Sequence, residues 1–280
     1  MLFSKTQIDR LGDRLKGGSH TESDLRLLDD YRRSFGEAYQ DVVRTIRQRG
    51  EFPTGRLAKS TVSVVDKLRR ESIRLSQMQD IAGCRVVVVN VAEQEQFVAS
   101  FIADFPRASV LDRRAKPTYG YRAVHIIAEI LGKPIEIQVR SSLQHLWAEI
   151  SEKSSDVLDP TIKYGGGTDR WREFLTGTSK LVASYEEREK QWFHIAADWG
   201  VYVAALEKLK KATEGLPQRQ VPDHKVQELR GMLADETREM ERAEHEDQEM
   251  KKERVRQWKV IAEVLREAIT FLDELKGQKQ

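Results

Sequence analysis

Four consecutive valines, Val86 to Val89, lie inside the segment CRVVVVNV at residues 84–91. β-Branched side chains with apolar groups on both faces suit a strand that is covered above and below, so this run predicts the central strand of a sheet with helices on it. The flanking sequence supports that frame. Residues 93–105 have a helical period with Phe97, Phe101 and Phe105 on one side, and ASVLD (108–112) reads as a further strand completing a βαβ unit. Two more strands are expected at 121–130 and 135–140, joined by LGKP as a hairpin loop, and LQHLWAEISEK (143–153) returns to helix. The fold class is therefore α/β (α+β): a small mixed β-sheet flanked by helices.

Around this core the chain reads as helix. Ser4 caps a first helix, and Thr21 with Asp24 caps a second that carries Leu25, Leu28, Tyr31, Phe35, Tyr39, Val42 and Ile46 at helical spacing. Residues 49–56 read as a loop, followed by a third helix over 59–75 with Val62, Val65 and Leu68 turned inward. Beyond about 154 the strand signal ends. Two long helical stretches, 171–213 and 222–276, follow, the second too polar in its middle for a core helix. The expected domains are N-terminal helices packing on the core (1–50), the core itself (51–165) and a long helical C-terminal extension (166–280) that oligomerises or regulates.

Bulk properties exclude some classes. The 280 residues hold 47 Lys plus Arg against 45 Asp plus Glu, a net charge of +2, which argues against wholesale wrapping of nucleic acid but permits a local basic cleft. The single cysteine, Cys84, rules out a disulfide framework and a cysteine-rich metal site. The charged N-terminal segment does not resemble a secretory signal, and no apolar run approaches the roughly 20 residues a membrane span needs. A cytoplasmic protein with no membrane partner is expected.

The candidate site lies on the hairpin. In PIEIQVR (134–140), Ile135, Ile137 and Val139 share one face while Glu136, Gln138 and Arg140 share the other. With LGKP as the loop, Ile130 is expected opposite Ile135 and His125 opposite Arg140, which puts His125 on the polar face. Asp80, just before the valine strand, converges on Glu136 if the two strands are neighbours, with Gly83 allowing close backbone approach and Arg85 just inside the strand. Two carboxylates over a sheet are a usual way to hold Mg²⁺ beside a polyphosphate. Lys59, Ser63, Lys67, Arg70 and Arg74 recur every three or four residues as one basic stripe suited to that polyphosphate. KPTYGYRAVH, from Lys116 to His125, presents tyrosines around Gly120 for stacking a base. Neither a GxxxxGK[ST] nor a GxGxxG loop is present.

In order, R-x-x-K-x-x-x-S-x-x-x-K (56–67), DIAGCR, GYRAVH and EIQVRSSLQHLWAEISEK resemble the synthetase domain of RelA/SpoT-type alarmone synthetases over about residues 40–165. The resemblance implies a nucleotidyltransferase-like core and transfer of the β,γ-pyrophosphate of ATP to the 3′-hydroxyl of GDP or GTP, giving (p)ppGpp. It implies Asp80 and Glu136 as Mg²⁺ ligands and catalytic groups, with Glu136 as base. It places Arg56, Lys59, Ser63, Lys67, Arg70 and Arg85 on ATP, and Tyr121, His125, Gln138, Arg140 and Lys116 on the acceptor. Three features depart from the family's usual pattern: the Arg56 to Lys59 spacing, Lys153 where many relatives have histidine, and the additional Tyr119. The short helical N-terminal segment implies synthesis without hydrolase activity, and the C-terminal helices imply a homo-oligomer. The alternative is a toxic relative that pyrophosphorylates the 3′ end of tRNA or makes adenine alarmones, restrained by an antitoxin or by its own C-terminal helices.

Overall fold

The computed structural model describes residues 3–214 and 223–277; the side chains of Arg56 and of parts of 194–244 lie outside the described residues. The described chain divides into two compact units, residues 1–179 and 180–280.

The first unit begins with α1 (Lys5–Gly17), α2 (Glu22–Arg33) and α3 (Gly36–Gln48). Ser4 accepts from the Gln7 N–H at the start of α1, and Thr21 and Asp24 form a reciprocal capping box on α2. The single long helix expected after Thr21 is two helices. At the end of α2 the Ser34 hydroxyl donates to the Tyr31 carbonyl at 2.6 Å, and α3 starts afresh at Gly36. The apolar positions still fall on one side, because Leu28, Tyr31, Phe35, Val42 and Ile46 are all buried.

Five strands make one sheet: β1 (Thr54–Arg56), β2 (Ala82–Val88), β3 (Ser109–Asp112), β4 (Val124–Ile130) and β5 (Lys133–Ser141), in the order β1-β2-β5-β4-β3. β2 and β5 are parallel and the other pairs antiparallel. Part of the segment expected as a loop, 49–56, is thus an edge strand. The valine strand β2 stands second, and β5 is central. Ala82, Cys84, Val86 and Val88 are buried whereas the alternate residues are only half covered, so β2 is not doubly covered: its second face is open to a cleft. β2, α5 (Val91–Asp104) and β3 do form a strand–helix–strand unit with both strands running the same way, but β5 and β4 stand between them.

The hairpin register also differs from expectation. Leu131 and Gly132 alone form the turn, with φ of 52° and 69°, so Ile130 pairs with Lys133 and His125 with Gln138 rather than Arg140. Two successive positive φ angles make the tight two-residue hairpin whose twist matches the strands. The shift is two residues, one full pleat, so every side chain stays on its expected face. Ile135, Ile137 and Val139 are fully buried in a core shared with Val42 and Ile46 of α3 and Phe97 and Phe101 of α5. Each such side chain contributes on the order of 1.5–3 kcal/mol.

The third helix, α4, covers only Thr61–Arg70, capped by Ser60. Its buried residues are Val64 and Leu68, whereas Val62, expected inside, is 70% exposed. α6 (Ser142–Val157) opens with a capping box between Ser141 and Gln144 and leads to a single 3₁₀ turn, Ile162–Tyr164. The long helices α7 (Asp169–Glu214) and α8 (Asp223–Gly277) follow. Within the second unit, Tyr185 is buried with its hydroxyl 3.5 Å from the Arg254 carbonyl, and the Arg254 guanidinium covers Trp192 and Phe193. No described helix is long and apolar enough to cross a membrane.

Candidate active site

A cleft of about 700 Å³ lies over the open face of β2 and β5, within the roughly 300–1,000 Å³ typical of small-molecule sites. Its floor is set by the pleat. Glu136, Gln138 and Arg140 rise from β5, with Gly83 and Arg85 beside them on β2 and His125 beside Gln138 on β4. Gly83 is required for the approach, because a Cβ there would stand 2.7 Å from the Glu136 carbonyl oxygen.

The row of polar residues closes into a hydrogen-bonded ring. His125 Nδ1 lies 2.9 Å from Glu136 Oε1, and Tyr121 Oη lies 2.9 Å from His125 Nε2. Arg140 Nη2 donates to Tyr121 Oη at 3.1 Å and to Gln138 Oε1 at 3.0 Å, and Gln138 Nε2 donates back to Glu136 Oε2 at 3.0 Å. Every link is satisfied when His125 carries its proton on Nδ1 and Tyr121 donates to Nε2. The ring fixes the Glu136 carboxylate. Burial pushes its pKa up, but the bonds from His125 and Gln138 outweigh that and hold it below the ordinary glutamate value.

Asp80 faces the same cleft from the segment before β2, and its charge is felt at Glu136. Lys59 Nζ lies 2.5 Å and Lys67 Nζ 3.0 Å from its two oxygens. Burial again pushes this carboxyl up, and the two ammonium groups more than compensate, leaving its pKa lowered. Lys59 is itself buried, held where its backbone N–H donates to the Ile81 carbonyl at 2.7 Å. Ser63, Lys67 and Arg70 line the α4 wall, but the expected stripe ends there: Arg74 lies beyond the helix, 73% exposed, against Asp9.

Arg85 and Arg140 make a second cationic region. Arg140 is only 2% exposed, yet its Nε and Nη1 have no hydrogen-bond partner. Arg85 donates to Glu152 at 3.2 Å; burial first, and then the neighbouring Arg140, lower its pKa. A buried guanidinium with spare donors suits an anionic ligand. The aromatic loop is braced from below: the Ser179 hydroxyl donates to the Gly120 carbonyl at 2.7 Å, and Trp147 Nε1 donates to the Leu175 carbonyl at 2.9 Å.

Eleven of the thirteen site residues singled out from sequence, both candidate metal ligands among them, therefore meet in one cleft: Lys59, Ser63, Lys67, Arg70, Asp80, Arg85, Tyr121, His125, Glu136, Gln138 and Arg140. Lys116 does not line it and is exposed. Arg56 is placed on β1 by its backbone, opposite Gly83, and its side chain lies outside the described residues. The cleft also includes Arg113, Glu152, Lys163 and Tyr164, which the sequence reading did not assign. Tyr164 precedes three glycines, a signal for an unusual backbone that carried no chemistry until its neighbours were known.

Residues 55–155 match the model of the family described as the region found in RelA / SpoT proteins. An uncharacterised protein of Mycobacterium tuberculosis strain H37Rv is 36% identical over 152 residues, which span 50% of this chain and 56% of that protein. An uncharacterised protein of Mycobacterium bovis matches to the same extent. Among solved structures, the small alarmone synthetase 1 from Bacillus subtilis is 25% identical with a TM-score of 0.46, covering 64% of this chain and 100% of that one. The same synthetase bound to its product pppGpp is 26% identical with a TM-score of 0.45, covering 61% and 96%.

Proposed function

Because this chain belongs, over residues 55–155, to the family of regions found in RelA and SpoT proteins, we propose that it is an ATP-dependent pyrophosphokinase acting on the 3′-hydroxyl of GDP or GTP. The observation that carries this reading is the pair of ionised carboxylates, Asp80 and Glu136, in a cleft whose α4 wall supplies Lys59 and Lys67.

In the reaction the acceptor 3′-oxygen bonds to the β-phosphorus of ATP as the bond from that phosphorus to the bridging oxygen breaks, and AMP leaves. Glu136 takes the hydroxyl proton. Its low pKa keeps it ionised at neutral pH, and its ring of partners holds the accepting oxygen in place. Lys59 and Lys67, and Arg70 beside them, take the charge of the polyphosphate. Arg140 and Arg85 add positive charge on the other side of the floor, and Tyr121 offers its ring to the acceptor base. His125 and Gln138 orient Glu136 and border the acceptor. Little further chemistry is needed, since in-line transfer at phosphorus depends mainly on positioning and charge neutralisation.

Asp80 and Glu136 fit Mg²⁺: both offer hard oxygen ligands to one cleft, and the charge of Asp80 is felt at Glu136, which a cation there would relieve. When bound there, Mg²⁺ would neutralise the polyphosphate.

The test offers γ-labelled ATP and Mg²⁺ with GDP, GTP, AMP, ATP or deacylated tRNA in separate reactions. Label is expected on the guanine nucleotide, and Glu136→Gln is expected to lower transfer by roughly 10²–10⁴-fold. Label only on tRNA or an adenine nucleotide would replace the acceptor in this reading by that of a toxic relative.

A further inference from the structure

The segment between α6 and α7 returns to the cleft on its α4 side and places the Tyr164 ring under Arg70, whose guanidinium carbon lies 4.1 Å from the ring centroid. Both residues line the cleft. Nothing in the proposed chemistry so far uses Tyr164.

The contact is built. Ile162 is buried, the Lys163 N–H donates to the Ser155 hydroxyl at 2.9 Å, and the N–H groups of Gly165 and Gly166 return to the carbonyls of Ile162 and Thr161 at 3.0 Å. Gly165 has φ of 85°, and a Cβ on it would stand 2.4 Å from the Tyr119 ring. The chain can therefore reverse after Tyr164 only with glycine, and the reversal fixes the tyrosine at the cleft, against Arg70. The geometry of the partner matters equally. An arginine stacked face-on against an aromatic ring keeps its N–H groups in the plane, directed past the ring, and that planar fork is the arrangement that grips phosphate oxygens. One of these groups, on Nη2, donates to Glu71 at 3.0 Å, and the others are left for a ligand in the cleft.

We propose that Tyr164 is a positioning residue for the donor nucleotide: its ring holds the flat face of Arg70 and so presents the guanidinium edge to the polyphosphate of ATP. The inference rests on the reading of the cleft as an ATP site. It assigns to the Ile162–Gly167 turn a part in donor binding that neither the motifs nor the hairpin carry.

The experiment measures binding of a non-hydrolysable ATP analogue to the full chain by calorimetry, alongside KM and kcat for ATP and for the acceptor. Tyr164→Ala, and Tyr164→Leu as a variant that keeps bulk without a π face, are expected to weaken analogue binding and raise KM for ATP by about 2- to 5-fold, the range of a part-exposed cation–π contact. kcat and the acceptor KM should be unchanged, and Tyr164→Phe should restore the affinity. In an Arg70→Ala background, Tyr164→Leu should have no further effect. Unchanged ATP affinity in both variants, an equal loss in Tyr164→Phe, a shift in the acceptor KM instead, or the same loss without Arg70 would each overturn the role. A wild-type chain that binds no ATP analogue would overturn the underlying ATP-site reading, and the positioning role with it.

Discussion

At the scale of single residues, the floor of the cleft shows how a plain alternation becomes a site. Glu136, Gln138 and Arg140 are adjacent because a strand repeats every two residues, and they act as one group because His125 and Tyr121 close the ring above them. The two carboxylates also tie stability to pH. Asp80 and Glu136 both have pKa values lowered in the folded chain, so their contribution is fully present above the ordinary carboxylate range, about 4, and is lost as pH falls through their lower folded values. Urea unfolding at a series of pH values should therefore show little change from pH 7 to about 5 and a steep decline below about 4. Asp80→Asn should be less stable at neutral pH, because Lys59 and Lys67 lose their counter-charge, and should decline less steeply in acid. An undiminished slope in that variant would show that the carboxylate does not carry the dependence. The pair and both lysines are legible in the sequence, whereas the clamp of Lys59 and Lys67 on Asp80 is not, because it joins residues 21 and 13 positions apart.

At the scale of elements, the hairpin was read with the wrong loop and still put the right residues on the right face. A four-residue loop and a two-residue turn differ by one pleat, and a shift of two preserves orientation, whereas a shift of one would have buried Glu136 and exposed Ile135. What sequence could not settle was that Leu131, a residue without the preference for positive φ, would sit at the first turn position at 63% exposure. Left-handed backbone costs an ordinary L-residue roughly 1–2 kcal/mol, and asparagine before glycine is the favoured pair in such turns. Leu131→Asn is expected to stabilise the first unit by about 0.5–1 kcal/mol, measured as a higher urea midpoint with an unchanged slope. β1 was missed for a related reason: three residues, Thr54 to Arg56, have no period to detect, and they become a strand only through pairing with Arg85, Cys84 and Gly83.

At the scale of the whole molecule, every described member of the candidate site lies in residues 1–179, which share one hydrophobic core from Ile8 to Val139, and this unit retains Leu175 and Ser179, the two anchors of the aromatic loop. A chain ending at Ser179 is therefore expected to unfold cooperatively and to retain ATP-analogue binding; a non-cooperative melt by circular dichroism would show that the first unit needs the helices that follow. The role proposed for the C-terminal helices, in oligomerisation or restraint, is a property of the second unit and would be read from the full chain's mass in solution against that of the shorter one. By itself the sequence determined most of the local structure: the four longer strands, the helices that pack on them and the apolar face of the hairpin, since these depend on periods of 2 and 3.6 residues along the chain. Only the tertiary structure decided the strand order, the central place of β5, the closing of the polar ring and the arrival of Tyr164 under Arg70, because each depends on contacts between residues far apart in the chain, whose pairing is selected by the packing of the whole core rather than by any local pattern.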